Sequence, residues 1–433
     1  MSNWFYKLFG FNELNYRETQ SKFILVDTKL KSLVNNKVYN IGFFENISLD
    51  ELNNKVEYLT KIIKYEESIP KFYGSVVGDI LNVHSNFDNK NALFQAASQF
   101  NCLEFINSNK IPENGITNYA KDYTQGPACA LATGPGTLFR NYFISLDSSS
   151  SKFKGQTKNN QINNLDNLQQ YLKQKYGKEF FKVKNGYTFS TDHDLIELNN
   201  LLISDKELYN ELKKRVKVGY HKQLQVVFKN RYQELNDPKF LVSQVYVSAL
   251  SISYSKNDPK LWYPLAQIIL DASYEATILL GIINFLNYGN PKVYLTQLGG
   301  GAFGNPNKFI ENAIKKSFIK ACQYNVPIEI INAFYNQSGY NIFSDLFKNT
   351  YYDDIIINEL IDLAKSNNIR SFDELINNYK LLIKKLEKYD FISIQNIIRR
   401  IPPKRKMSIL DQAHYWKIQT EKPLELLKSF IKL

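Results

Sequence analysis

Apolar residues fall along this chain in two alternating rhythms. Short runs of β-formers occur at residues 71–81, 93–100, 223–228, 242–254 and 326–334. Between them apolar positions recur three and four apart, as one face of a helix requires. Strand and helix thus alternate from about residue 70 to about residue 335, the order that builds a mostly parallel sheet with helices on both faces. Residues 164–176, 194–212 and 262–285 read as helices, the last of them long and apolar. Ahead of this region, residues 23–27 and 37–44 look like strands. Ser48-Leu-Asp-Glu51 is a capping box that opens an amphipathic helix through Leu52, Val56, Leu59 and Ile62. The aromatic opening of Trp4, Phe5, Tyr6, Phe9 and Phe11 suits core packing or a lid better than chemistry. Residues 147–165 are polar and read as a loop or linker. After residue 340 only helical spacing remains. The chain therefore divides into a 1–70 extension packed on the core, a 71–339 core domain and a 340–433 helical appendage.

One stretch changes this pattern into a functional statement. Val293, Tyr294, Leu295 and Thr296 form a short β-run, and Gly299, Gly300, Gly301, Ala302, Phe303, Gly304 and Asn305 follow it. Asn305 is a good N-cap and Pro306 a good first residue for the helix carried by Phe309, Ile310, Ala313, Ile314 and Phe318. Glycines let a backbone come close to a ligand, and free N–H groups at a helix N-terminus favour a phosphate. The competing reading is a tight strand–helix junction with glycines for packing. The agreement of strand, loop, cap and helix favours phosphate or pyrophosphate.

Other strand ends carry polar groups where open α/β sheets bind ligands. Residues 71–81 lead into Gly78-Asp79-Ile80. Residues 93–100 contain the small Ala96, Ala97 and Ser98, and end in Gln99, Asn101 and Glu104. Asp122, Thr124, Gln125 and Gly126 open a second glycine-rich stretch that runs to Gly136. Taken singly, Glu104 and Asp122 could equally be capping or solvated carboxylates.

Composition narrows the classes. The chain has 433 residues, 44% hydrophobic and 14% aromatic, enough for a large core. No run of 18 apolar residues suggests a transmembrane segment, and the N-terminus lacks the pattern of a signal peptide. The three cysteines are odd in number and far apart, which suits a reducing compartment. The expected location is cytoplasmic, with nuclear entry open. The formal charge of +12 accompanies an abundance of Asn, Lys, Ile and Tyr throughout, so nucleic acid is not an expected partner. The basic cluster at residues 399–406 reads as a solvated inter-helix loop. His84, His193, His221 and His414 have no metal-ligand spacing, so neither a metal nor a cofactor is expected; a divalent ion held by carboxylates stays open. A monomer is expected.

Leu298–Asn305, LGGGAFGN, resembles the second phosphate loop of macrodomains, especially their poly(ADP-ribose) glycohydrolase-like branch. Gly78-Asp-Ile80 resembles the start of macrodomain cores. Phe94-Gln-Ala-Ala-Ser-Gln-Phe-Asn101 resembles their strand ending in an asparagine. The set is closer still to a macrodomain-like family marked by Leu8-Phe-Gly-Phe11, Phe94–Glu104, Asp122–Ala130, Arg140-Asn-Tyr-Phe143, Gly155-Gln-Thr157 with Gln161, Val242–Ser255 and Leu295–Asn305. That family includes a bacterial effector that hydrolyses ADP-ribosyl-arginine. The likeness covers about residues 1–335; the residues after 340 lie outside it. The glycohydrolases' tandem-glutamate loop is missing, so their catalytic pair does not carry over.

The resemblance implies a macrodomain-like fold and an ADP-ribosyl hydrolase that removes ADP-ribose from modified protein, most readily from arginine, with ADP-ribose and ADP-ribosylated protein as partners. It implies that Asp79, beside Ile80, holds the adenine, and that Gln99 and Asn101 hold the distal ribose. Thr124, Gln125 and Gly126 would line the first loop, and residues Gly299–Asn305 would hold the pyrophosphate. Glycosidic cleavage needs a carboxylate acid or base; Glu104 is the first candidate and Asp122 the second. Two alternatives stand beside this: a non-catalytic ADP-ribose reader, and another nucleotide-diphosphate hydrolase.

Overall fold

The fold was taken from a computed structural model, which describes residues 3–63, 70–146 and 154–337. These lie in one compact unit, Met1–Lys64 with Pro70–Tyr340. The helical spacing after residue 340 and the basic cluster at 399–406 lie outside the described residues.

The chain opens with α1 (Trp4–Phe9), α2 (Tyr16–Ser21), a small sheet of β1 (Phe23–Val26), β2 (Lys29–Ser32) and β3 (Val38–Asn40), then β4 (Phe43–Ser48) and α3 (Leu49–Ile62). Next come β5 (Lys71–Val77), α4 (Ile80–His84), β6 (Leu93–Ala97), α5 (Gln125–Ala132), α6 (Gly134–Tyr142) and α7 (Asp166–Tyr176). A hairpin of β7 (Lys182–Lys184) and β8 (Tyr187–Phe189) leads to α8 (Asp192–Ser204) and α9 (Leu208–Lys213). The last described elements are β9 (Lys217–Gln225), β10 (Leu241–Val247), α10 (Pro259–Tyr288), β11 (Lys292–Leu295), α11 (Asn307–Cys322) and β12 (Glu329–Phe334).

Seven strands form the main sheet in the order β4-β9-β10-β6-β11-β12-β5. The five from β10 to β5 are mutually parallel, and β9 runs against both β10 and β4. The fold is thus mixed α/β with a mostly parallel sheet, as the alternation implied. Residues 1–70 are more than an extension packed on this core. They supply β4, paired with β9 from Phe43↔Lys222 to Ser48↔Lys217. Their aromatic opening is core: Trp4, Phe5 and Phe9 are fully buried and meet one another edge to face, while Tyr6 stays exposed.

Local chemistry fixes the main elements. The Ser48–Glu51 capping box starts α3, with the Glu51 carboxylate accepting from the Ser48 N–H at 2.8 Å. Asp258 caps α10 through the Lys260 N–H, and Gly289 ends it in the left-handed conformation. α10 is long and apolar enough to cross a membrane, but here it is a buried core helix. Its polar residues serve the interior: Asp271 takes Lys316 and Tyr209, and Glu275 takes Lys213.

Two buried histidines make stability depend on pH. His84 lies flat on Phe94 at 3.8 Å and binds the Ile80 carbonyl, and burial pushes its pKa down to about 4. Burial also holds His221 well below its ordinary value. A depressed folded pKa gives stability that is complete above the unfolded value of about 6.5 and is lost as pH falls toward 4. The stability advantage of wild type over His84→Gln should therefore shrink by about 2–3 kcal/mol between pH 7 and pH 4.5. Urea unfolding of both proteins at the two pH values measures this; an unchanged difference would contradict it.

Candidate functional site

β6 and β11 pair only through Leu93↔Val293 and Phe94↔Tyr294. Beyond that point the strands part, and side chains take over their backbone groups. Gln95 Oε1 accepts the Thr296 N–H at 3.0 Å while its Nε2 donates to Thr277 of α10 at 2.8 Å. Gln125, the first residue of α5, fills the gap on β6: its Oε1 accepts the Ala97 N–H at 2.8 Å and its Nε2 donates to the Gln95 carbonyl at 2.7 Å. Tyr274 of α10 ties down the other lip, donating to the Thr296 carbonyl and accepting the Leu298 N–H. The N-terminus of α5 is thereby wedged at the carboxyl ends of two parted parallel strands, the place where open α/β sheets bind ligands. Gly126 permits the wedge: a Cβ there would sit 1.8 Å from the Ala97 carbonyl oxygen.

The glycine-rich loop leaves β11 at this opening. Gly299 and Gly304 adopt the left-handed conformation, and the Asn305 N–H closes back on the Gly299 carbonyl at 2.9 Å. Among the described residues, the N–H groups of Gly301, Ala302 and Phe303 find no protein acceptor. Gly301 and Ala302 are exposed. The helix behind the loop starts one residue later than its sequence implies: Pro306 occupies the cap position and α11 begins at Asn307. Asn305 does not cap it, because its side chain turns inward and donates to the Leu250 carbonyl at 2.8 Å. The ring of Phe303 packs against Tyr254 and Tyr187, each with centroids 5.7 Å away. These aromatics form a wall beside the loop.

The glycines now separate by role. A Cβ at Gly304 would lie 2.0 Å from Ser253 Oγ, whereas one at Gly301 would meet nothing within 4 Å. Gly301→Val should leave the melting temperature within about 2 °C of wild type while obstructing whatever approaches the open N–H row. Calorimetric titration with ADP-ribose reads the second half. Equal affinity in the two proteins would remove this loop from the site.

Several residues assigned to ligand contact are engaged within the protein. Gln99 closes its own loop, with Oε1 accepting the Phe105 N–H and Nε2 donating to the Phe105 carbonyl, both at 2.9 Å. Asn101 accepts the Leu103 N–H and donates to Gln161, which in turn donates to Asn185. The β7–β8 turn lies directly over both, because a Cβ on Gly186 would be 2.4 Å from Gln99 Cβ and 2.8 Å from Asn101 Oδ1. These two amides thus tie their own loop together beneath the β7–β8 turn. Gln125 serves the sheet, as described. Ile80 is buried in the core at the start of α4. Asp79 lies just past the carboxyl end of β5 as the N-cap of α4; its Oδ1 accepts the Leu81 N–H at 3.1 Å and its Oδ2 accepts from Arg231 Nε at 2.5 Å.

The two candidate carboxylates separate sharply. The Glu104 side chain has no exposed surface, and both its oxygens lie 3.1 Å from Arg140 Nη2. Arg140 also donates to the Cys102 carbonyl and to the Tyr246 hydroxyl, and its guanidinium lies over the Tyr246 ring. Burial pushes the Glu104 carboxyl up to about 7, with Arg140 pulling the other way. Glu104, the first candidate acid or base, is therefore held in the interior by Arg140 and has no exposed surface. Asp122 is different. It is partly exposed, and Thr124 donates both its N–H, at 2.8 Å, and its hydroxyl, at 2.6 Å, to the one oxygen Oδ1. Oδ2 takes neither of these bonds. Burial raises the Tyr187 phenol's pKa, and the charges of Tyr254 and Asp122 add to the effect.

Sequence reasoning missed Tyr187, Tyr254 and Arg231. Asn185-Gly186 between Lys182–Lys184 and Tyr187–Phe189 is the dipeptide of a two-residue hairpin turn and could have revealed the element that carries Tyr187. Arg231 sits in a polar loop without any such signal. Elsewhere His193, Asp194 and Glu197 gather within 4.8 Å on exposed α8, where Lys178 bridges both carboxylates. All three cysteines are buried free thiols.

Neither a protein-family model nor a curated protein matches the chain. Among solved structures, poly(ADP-ribose) glycohydrolase from Deinococcus radiodurans in complex with ADP-ribose matches at a TM-score of 0.36 and 9% identity, over 70% of this chain and 95% of that one. The apo form of the same enzyme matches at 0.35 and 10% identity, over 70% and 93%. Likeness of this degree assigns no activity to this chain.

Proposed function

We propose that this chain binds ADP-ribose across the carboxyl ends of β5, β6 and β11 and hydrolyses it from modified protein, with arginine as the linked residue. The observation that carries the reading is the parted β6–β11 pair. It sets the N-terminus of α5 beside a glycine loop whose Gly301–Phe303 N–H groups lack acceptors among the described residues, a combination suited to a pyrophosphate. The Gly78-Asp79, Phe94–Asn101 and Leu298–Asn305 motifs all fall at these same strand ends.

In the reaction, water adds to the anomeric carbon of the distal ribose as the bond to the arginine nitrogen breaks. The transition state is oxocarbenium-like and needs a carboxylate to take the water's proton. Asp122 has the exposure and the Thr124-held orientation for that role, with Tyr187 near enough to feel its charge. A second reading, a reader without turnover, is favoured by the sealing of Glu104 and the engagement of Gln99 and Asn101. Incubation with mono-ADP-ribosyl-arginine protein separates the two: free ADP-ribose supports the hydrolase, and binding without release supports the reader.

The residues after 340 share no motif with this site. A chain cut after Tyr340 should fold and bind ADP-ribose as the full chain does. A folded truncation that has lost binding would mean the C-terminal region completes the site. The cytoplasmic setting belongs to the same proposal and rests on the free thiols.

A further inference from the structure

Arg231 reaches from the loop between β9 and β10 to the carboxyl end of β5. Its side chain is 10% exposed, and its Nε binds Asp79 Oδ2 at 2.5 Å. Its Nη1 and Nη2 are buried and find no acceptor among the described residues. Leaving charged donors buried without acceptors costs about 1–3 kcal/mol or more per group, so the position calls for an acceptor that the described residues do not provide. The guanidinium is covered by the ring of Tyr123, with its carbon 4.3 Å from the ring centroid. Tyr123 is 58% exposed and stands two residues ahead of α5. The cover is therefore an exposed surface side chain rather than core, and a flat ring can take its place.

The pair offers two kinds of group side by side. Each Asp79 oxygen accepts one bond within the protein, from Leu81 N–H and from Arg231, and keeps a further lone pair. The Nη groups offer donors. An acceptor next to a donor is what an amide presents to the N6/N7 edge of adenine, where the exocyclic amino group gives and N7 receives. A planar guanidinium is also a good surface for a stacked or edge-on base.

We infer that Arg231 is a specificity-determining residue at the base end of the site: its free Nη donates to adenine N7 while Asp79 accepts from the 6-amino group, so the site selects a 6-aminopurine nucleotide. This rests on the ADP-ribose reading and adds to it a residue that neither the sequence motifs nor the glycine loop indicated. It also gives Asp79 a reason to be paired. The ion pair fixes the carboxylate's direction beside an incoming base.

Calorimetry on the full chain tests this with three ligands: ADP-ribose, its 7-deaza analogue and its 6-oxo analogue. Wild type should bind the 7-deaza compound about tenfold more weakly than ADP-ribose, and the 6-oxo compound at least as weakly. Arg231→Met should weaken ADP-ribose about tenfold and lose all further sensitivity to the 7-deaza change. Arg231→Lys keeps the charge beside Asp79 but not the planar fork, and should behave like the methionine variant toward the two purines. If the variants do not fold, the wild-type comparison still decides, because it needs no substitution. Equal wild-type affinity for ADP-ribose and the 7-deaza compound overturns the inference while leaving ADP-ribose binding intact. Undiminished 7-deaza sensitivity in a folded Arg231→Met does the same. No wild-type binding of ADP-ribose at all sinks the functional reading and this inference together.

Discussion

Glu104→Ala should cost the protein about 3–5 kcal/mol of stability, the scale for removing one partner of a buried ion pair. The loss comes from Arg140, which would keep its charge at a site with no exposed surface. Arg140→Met should cost a similar amount, because it strips Glu104 of its cation and leaves the Cys102 carbonyl and the Tyr246 hydroxyl without a donor. The double variant should lose clearly less than the sum, since each charge is harmful mainly when alone. Urea unfolding of the four proteins measures this cycle. Glu104→Gln adds the functional half. Normalised to the folded fraction, it should turn over like wild type. A well-folded Glu104→Gln that has lost more than tenfold in turnover would return this carboxylate to the chemistry.

Asp122→Asn should lose on the order of a hundredfold or more in turnover, the usual scale for a positioned base. The amide keeps the size of the side chain, and its oxygen still accepts from Thr124, so the first turn of α5 should stand and affinity for ADP-ribose should stay within about tenfold. Release of ADP-ribose from arginine-modified protein, measured beside affinity, separates the two quantities. Equal losses in both would mean that Asp122 positions the loop and does no chemistry. Unchanged turnover would leave the reader as the better account.

The contrast between these carboxylates shows what one dimension of sequence can carry. Local patterns were legible because their causes are local. The Ser48–Glu51 box, the apolar run of α10 and the β-run of residues 292–295 each follow from neighbours a few positions away. The glycine loop was legible for the same reason, down to a one-residue shift in where its helix starts. Glu104 and Asp122 look alike in sequence, as carboxylates near glycine-rich loops. They differ in structure because Glu104 meets Arg140, which comes from a helix 36 positions later, while Asp122 accepts from its near neighbour Thr124. Gln99, Asn101 and Gln125, read as ligand contacts, are engaged within the protein for a related reason. An amide that completes a strand edge and one that reads a ribose are the same residue type, and only the parting of β6 and β11 distinguishes them. The strand read at residues 223–228 begins earlier, at Lys217, and ends at Gln225; its polar first half was not legible because His221 and Lys222 make interior or cross-strand contacts supplied by β4 and the N-terminal residues.

Amide hydrogen exchange with and without saturating ADP-ribose tests the central claim most directly. The prediction is slowed exchange in two segments, 124–126 at the start of α5 and 299–305 in the glycine loop, with the strongest protection at Gly301, Ala302 and Phe303, whose N–H groups lack acceptors among the described residues. Protection confined to other parts of the chain, or none at either segment, would contradict the claim that the opening between β6 and β11 is where ADP-ribose binds.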